Sequence, residues 1–236
     1  MSAVIEAYIT NLGRYNEGHL DGEYLKLPAT TEEVQALLKR IHVDGQQYEE
    51  IFITDYETNL AGMQNLGEYE SIDELNYLAS LISDMDTGEL EKFEAAAVYG
   101  DNSGSVKDLI NLAQNLDCYD FLPDIADNDD LGRYLIDELG YAEIPDHLVN
   151  YIDYEAYGRD FSINEGGEFV GDGYIWRGYG NMTEYYDGRD IPEEYRIFSY
   201  PTPEKQPIRE TLKEMQKLVD EAAVMPHART TAREER

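Results

Sequence analysis

The 236-residue chain carries 50 Asp and Glu against 18 Lys and Arg, a formal net charge of −32, together with 42% hydrophobic residues, 20 Tyr and a single cysteine. The aromatic content separates it from disordered acidic chains, which lack the apolar surface to form a core, and a lone Cys118 permits neither an intrachain disulfide nor a cysteine-rich zinc site. The charge argues against direct binding to DNA, RNA or anionic lipid, whose phosphates would be repelled.

The charge is unevenly placed. Residues 1–200 hold 43 acids and 11 bases, so that part alone accounts for the net charge, whereas residues 201–236 balance seven of each. The opening MSAVIEAYIT has no basic n-region, and no apolar run approaches the roughly 20 residues of a membrane span. The sequence therefore reads as a soluble, unsecreted, cytoplasmic protein.

Alternating residues predict a strand over 4–10, a turn at Asn11-Leu12-Gly13 and a second strand over 23–27 that Pro28 stops. Thr30 and Glu33 form a capping box for a helix reaching about Ile41, and residues 48–56 read as a third strand. Short helices follow. Ser71 and Glu74 make a second capping box, with Ile72, Leu75, Leu78, Ala79 and Ile82 on the inner side and Asp73, Tyr77 and Asp84 facing away. A helix over about 89–99 turns Leu90, Phe93 and Ala97 inward and Glu91 and Glu94 outward, and one over 105–116 aligns Val106, Leu109, Ile110, Ala113 and Leu116. Beyond Cys118 the sequence predicts a helix over about 128–139, a short helix opened by Pro145, hairpins within the Gly- and Tyr-rich stretch 166–186, and a strand within 191–200 that closes the sheet. Pro201, Pro203 and Pro207 mark a linker to an amphipathic helix over about 208–223, too short for a coiled coil and read as docking on the body.

The expected fold class is α+β, with three small domains in series: an N-terminal α+β domain over 1–60, a helical middle domain over 61–116, and a C-terminal α+β domain over 117–200. A linker and tail helix occupy 201–236.

Candidate chemical sites are few. Asp127, Asp129, Gly132 and Glu138 partly match a calcium loop, but Leu131 has no side-chain oxygen at the fifth position, and the same acids read as the first turn of a helix. The four histidines have no metal spacing. No nucleophile elbow is present, and Cys118 lies between Asp117 and Asp120, whose charge would raise a thiol pKa rather than activate it. Carboxylate pairs carry no information among fifty acids. The sequence thus supports no enzyme, no metal site and no cofactor. The Tyr-rich segments suit sheet faces, and also an interface in which a flat apolar ring lies beside charge.

Duplex DNA shows one negative charge per roughly 1.7 Å of axis, so 32 net charges at that density would span about 54 Å of duplex. A compact sphere of this length of chain would be only about 45 Å across, so small domains in series would lower repulsion and approach the linear density of DNA. The segment from Leu66 to Leu78, LGEYESIDELNYL, resembles the antirestriction motif of the ArdA family; YITNLGRYNEG, from Tyr8 to Gly18, resembles that family's N-terminus, and YIDYEAYGRD, from Tyr151 to Asp160, a third block in family order. The resemblance implies an elongated, three-domain, usually dimeric DNA mimic carried by mobile genetic elements, an inhibitor that occupies the DNA-binding groove formed by the specificity and methyltransferase subunits of type I restriction-modification enzymes. On this reading the acids expected to stand in for phosphates are Glu68, Glu70, Asp73, Glu74, Asp84, Glu91, Glu94, Asp127, Asp129, Asp130, Asp153 and Glu155. The motif also reads as a capped bundle helix that shapes the fold without touching the target. Competing readings are an acidic protein-binding or cation-binding module with another basic partner and, third, an acidic hydrolase.

Overall fold

A computed structural model describes residues 5–64 and 66–202. The tail helix expected over 208–223 and the linker prolines 203 and 207 lie outside the described residues. Through Pro201 the chain forms one compact unit. It is α+β, with seven α-helices and two three-stranded antiparallel sheets among the described residues.

The first sheet has the order β2-β1-β3, from β1 (Ile5–Asn11), β2 (Gly22–Leu27) and β3 (Ile51–Thr58). Ile5, Ala7 and Ile9 alternate onto the face covered by α2 (Thr31–Arg40), which supplies Val34, Leu37 and Leu38. The capping box at the start of α2 forms as expected: Thr30 Oγ1 accepts from Glu33 N while Glu33 Oε2 accepts from Thr30 N. In place of the turn expected after β1 stands a short helix, α1 (Leu12–Asn16), because Asn11 Oδ1 caps it by accepting from Arg14 N. The third strand begins at Ile51 rather than Tyr48. Asp44 Oδ1 collects the N–H groups of Gln46, Gln47 and Tyr48 and holds that stretch in a turn.

Three helices follow: α3 (Ile72–Ser83), α4 (Thr87–Tyr99) and α5 (Val106–Ala113). Leu75, Leu78, Phe93, Ile110 and Leu112 are fully buried, in a core continuous with that of the first sheet. The capping at Ser71 is half of the expected box, since Ser71 Oγ accepts from Glu74 N but the Glu74 carboxylate accepts from Tyr186 Oη instead. The outward face expected of α3 is largely covered. Tyr77 is buried, stacked on Tyr195 at 4.3 Å and edge-on to Tyr186, and Asp73 Oδ1 accepts from Ile197 N and Phe198 N.

That covering segment is the one expected to close the second sheet, and it forms no strand. Its polar backbone groups are instead satisfied by side chains: Asn76 Nδ2 donates to Tyr195 O and Gln35 Nε2 to Tyr200 O, and Gln35 Nε2 also reaches the Ser199 hydroxyl. Upstream, Asn115 bonds both polar backbone atoms of Thr183, and Asn111 does the same for Tyr186.

The second sheet has the order β4-β6-β5. Its hairpin, β5 (Glu168–Val170) and β6 (Gly173–Arg177), falls within the Gly-rich stretch as expected, turning at Gly171 with φ +57°. β4 (Tyr119–Pro123) pairs with β6 and was not expected. The helix predicted over 128–139 is α only through α6 (Asn128–Arg133). It then widens, with Leu139 N bonding Tyr134 O five residues back. Pro145 opens a turn rather than a helix, Leu148 N reaching Pro145 O, followed by a single tight turn at Val149–Tyr151. A helix not foreseen, α7 (Tyr154–Glu165), crosses α6 so closely that a Cβ on Gly132 would lie 1.9 Å from Tyr154 O, and one on Gly158 2.0 Å from Asn128 O. Ile125, Leu131, Leu135 and Tyr174 form a second, smaller core here, with Phe161 and Trp176 packed against it.

Candidate functional site

The acids singled out in the sequence have three kinds of surroundings. Some hold backbone: Glu70 accepts from Gly67 N, Glu94 from Ala61 N, Asp73 from two amides, and Asp153 from Ala156 N as the cap of α7. Asp127 caps α6 by accepting from Asp129 N and Asp130 N, and Asp130 accepts from Ala126 N, so the partial calcium pattern forms the acidic start of a helix. Glu74 accepts from Tyr186 Oη. Others are paired along one helix, Asp129 with Arg133 at 2.7 Å and Glu155 with Arg159 at 3.1 Å. Glu68, Asp84 and Glu91 are exposed, and their side chains make no hydrogen bond or ion pair with the described residues. The twelve are dispersed along the chain rather than drawn to one point, although Glu91 and Glu94 share a groove with Asp124 and Asp172.

Sequence reasoning missed a further acidic surface on the first sheet. Glu6 and Tyr8 alternate away from Ile5, Ala7 and Ile9, and across the two ladders Glu6 faces Lys26 and Glu57 while Tyr8 faces Tyr24 and Asp55. Tyr24 Oη donates to Asp55 Oδ2 at 2.6 Å, and the Tyr8 and Tyr24 rings meet edge-on at 4.8 Å. Like charges directly opposed on a sheet are unfavourable, and at Glu6 the Lys26 across the other ladder offsets the repulsion from Glu57. The period-two alternation of β1 and β3 was the available signal.

Tyrosine recurs as the partner of carboxylates: Tyr24 with Asp55, Tyr48 with Glu17, Tyr154 with Asp137 and Tyr186 with Glu74. A phenol donates a hydrogen bond without cancelling the charge, as Lys or Arg would. The cost falls on the phenol, whose ionisation is suppressed. The hydrogen bond to Asp55 and then burial push the Tyr24 pKa well above its usual range; burial first and then Glu74 do the same to Tyr186. Many of the cations in the acidic body already have acidic partners, Arg14 with Asp21, Arg40 with Glu23, Lys107 with Glu184 and Arg177 with Asp101, besides the two helix pairs. The Asp21 carboxyl lies below its usual range although burial pulls it up, because the hydrogen bond and charge of Arg14, with His42 and His19 adding, outweigh burial.

Cys118 is buried, and burial, followed by the charge of Asp117, raises its thiol pKa, the direction the sequence implied. Among the described residues no group of three or more His, Cys, Asp or Glu could hold a metal ion, and no helix is long and apolar enough to cross a membrane.

Residues 7–176, which contain all three of the sequence blocks singled out above, match the family model of the antirestriction protein ArdA. The chain belongs to the ArdA family. No curated protein matches it. The matched span runs from β1 almost to the end of β6 and so includes both sheets and all seven helices. Membership in the ArdA family implies antirestriction function against type I restriction-modification enzymes; its members are inhibitors rather than enzymes.

Proposed function

We propose that this protein inhibits type I restriction-modification enzymes as a DNA mimic, lodging in the DNA-binding groove of the specificity and methyltransferase subunits with carboxylates in place of phosphates. The observation that carries the reading is the coincidence of the family match with the charge. The matched span lies within the 200 residues that hold 43 acids and 11 bases, and many of those bases are already tied to acids within the fold. Glu68, Asp84 and Glu91 are the first candidates to meet the enzyme's Lys and Arg, their side chains being exposed and without a partner among the described residues. Asp129 and Glu155 reach it by exchanging their helix partners, and the acids that hold backbone present their remaining oxygens. In this reading the inhibitor is a cytoplasmic homodimer of small domains in series, brought into the cell by a mobile element.

Competition against a fluorescent DNA duplex for a purified type I methyltransferase tests the proposal. Displacement at a near-stoichiometric ratio, weakening with salt as charge pairing requires, is the expected result. No displacement at moderate ionic strength rejects it. Light scattering combined with small-angle scattering gives the mass and axial ratio that the dimeric, serial arrangement demands.

A further inference from the structure

A groove of about 300 Å³ opens where α4 passes the turn end of the second sheet. Its floor is apolar, from the buried Ala95 and the half-buried Phe121 and Val170, and the acids in its lining are Glu91, Glu94, Asp124 and Asp172. No basic residue lines it. Arg177, on the neighbouring strand β6, is paired with Asp101. Glu94 spends one oxygen on Ala61 N, and the side chains of the other three acids have no hydrogen-bond partner among the described residues.

Four carboxylates around an apolar floor attract a cation, and the geometry decides which kind. No three acidic side chains among the described residues come together as a metal ion requires. The groove therefore suits a cation that is long and partly apolar, whose stem covers Phe121 and Val170 while its head reaches separate carboxylates. Between the two basic side chains, guanidinium fits better: it is planar, weakly hydrated, stacks on an aromatic ring and spreads five donors over several acceptors, where ammonium is a compact, strongly hydrated point charge. We propose that this groove receives an arginine side chain projecting from the DNA-binding surface of the restriction enzyme. The inference rests on the function proposed above and adds to it a discrete anchor. On a uniformly distributed surface each exposed carboxylate contributes about as much as one exposed ion pair, whereas a side chain that fills a groove and covers its apolar lining behaves as a hot spot.

The test compares two triple variants that remove the same charge. Glu91→Gln/Asp124→Asn/Asp172→Asn strips the rim, and Asn at 124 tolerates the local φ of +59°. Glu68→Gln/Asp84→Asn/Asp160→Asn removes three exposed acids elsewhere, two of them candidate contacts of the same standing as Glu91. Near-ultraviolet circular dichroism confirms that both are folded. In competition with DNA for the methyltransferase, the rim variant is expected to lose about tenfold more affinity than the control. Equal losses overturn the groove and leave the charge-based reading standing, whereas failure of wild-type protein to displace DNA overturns that reading itself. A second measurement judges the groove independently of the enzyme. N-acetyl-arginine methylamide is expected to shift the backbone amide resonances of Asp124 and Asp172 saturably in wild-type protein and not in the rim variant, with the norleucine analogue inert. Absence of those shifts, or equal shifts from norleucine, also overturns the groove.

Discussion

Asp73 Oδ1 receives the N–H groups of Ile197 and Phe198, each at 2.7 Å, across 124 and 125 residues of sequence. Its negative charge is thus turned inward as well as outward, and its removal orphans two backbone donors in a half-buried place. Asp73→Ala is expected to lower the free energy of unfolding by about 1–3 kcal/mol, read from urea denaturation; an unchanged midpoint would show that water replaces the carboxylate without loss. Asp44 has a related task with a different signature. Three amides, those of Gln46, Tyr48 and Gln47, hold its carboxyl below the usual range. A carboxyl depressed in the folded state contributes stability that is complete above its unfolded pKa, near 3.8, and is lost as pH falls through the lower folded value. Asp44→Asn keeps an acceptor oxygen and removes only the charge. Its melting temperature is therefore expected to lie below wild type at pH 7 and to converge on it as the pH falls through the lowered folded-state value. A gap that persists undiminished in acid would assign the loss to geometry rather than charge.

At the scale of elements, the helices that sequence revealed are those whose ends and faces are coded locally. Thr30 and Glu33 announce α2 within four residues, and the apolar stripes of α3 and α5 follow helical spacing. α7 was hidden because its contact with α6 is made by a glycine. Gly158 and Gly132 bring two backbones together, and glycine in a sequence reads as a breaker, not as a packing surface. The same two residues give a prediction with a decisive sign. In an unpacked helix Gly→Ala is favourable by about 1 kcal/mol, but at Gly158 the added methyl would meet Asn128 O at 2.0 Å, so Gly158→Ala is expected to be net destabilising by about 1–3 kcal/mol. The single Trp176, 5.8 Å from Phe161 of α7, reports loss of that cluster by fluorescence during denaturation; a stabilised variant would refute the close crossing. The covering segment 183–200, of which 191–200 was read as a strand, was misread for a complementary reason. Asn76, Asn111 and Asn115 satisfy its backbone in place of a ladder, and nothing local in the sequence tells a buried asparagine that staples distant chain from one that faces water.

Taken as a whole molecule, the chain declared its chemistry in its composition while concealing which acids face outward. Whether an Asp points at solvent or at an amide 124 residues away is decided by tertiary structure, so Asp73 and Glu68, neighbours in one motif, have opposite surroundings. Charge itself offers a sharper test, since the same 32 net charges act on two equilibria in opposite directions. In the free protein they repel one another, and raising KCl from about 10 mM to about 1 M shortens the screening length from about 30 Å to about 3 Å, which relieves the repulsion and raises the melting temperature. Against a basic cleft they attract, and the same screening weakens binding. Salt is therefore expected to stabilise the inhibitor while loosening its complex, with thermal denaturation and DNA competition measured across one salt series. An inhibitor whose potency held constant across that series as its melting temperature climbed would be gripping its target through apolar contacts, and its acids would serve solubility alone.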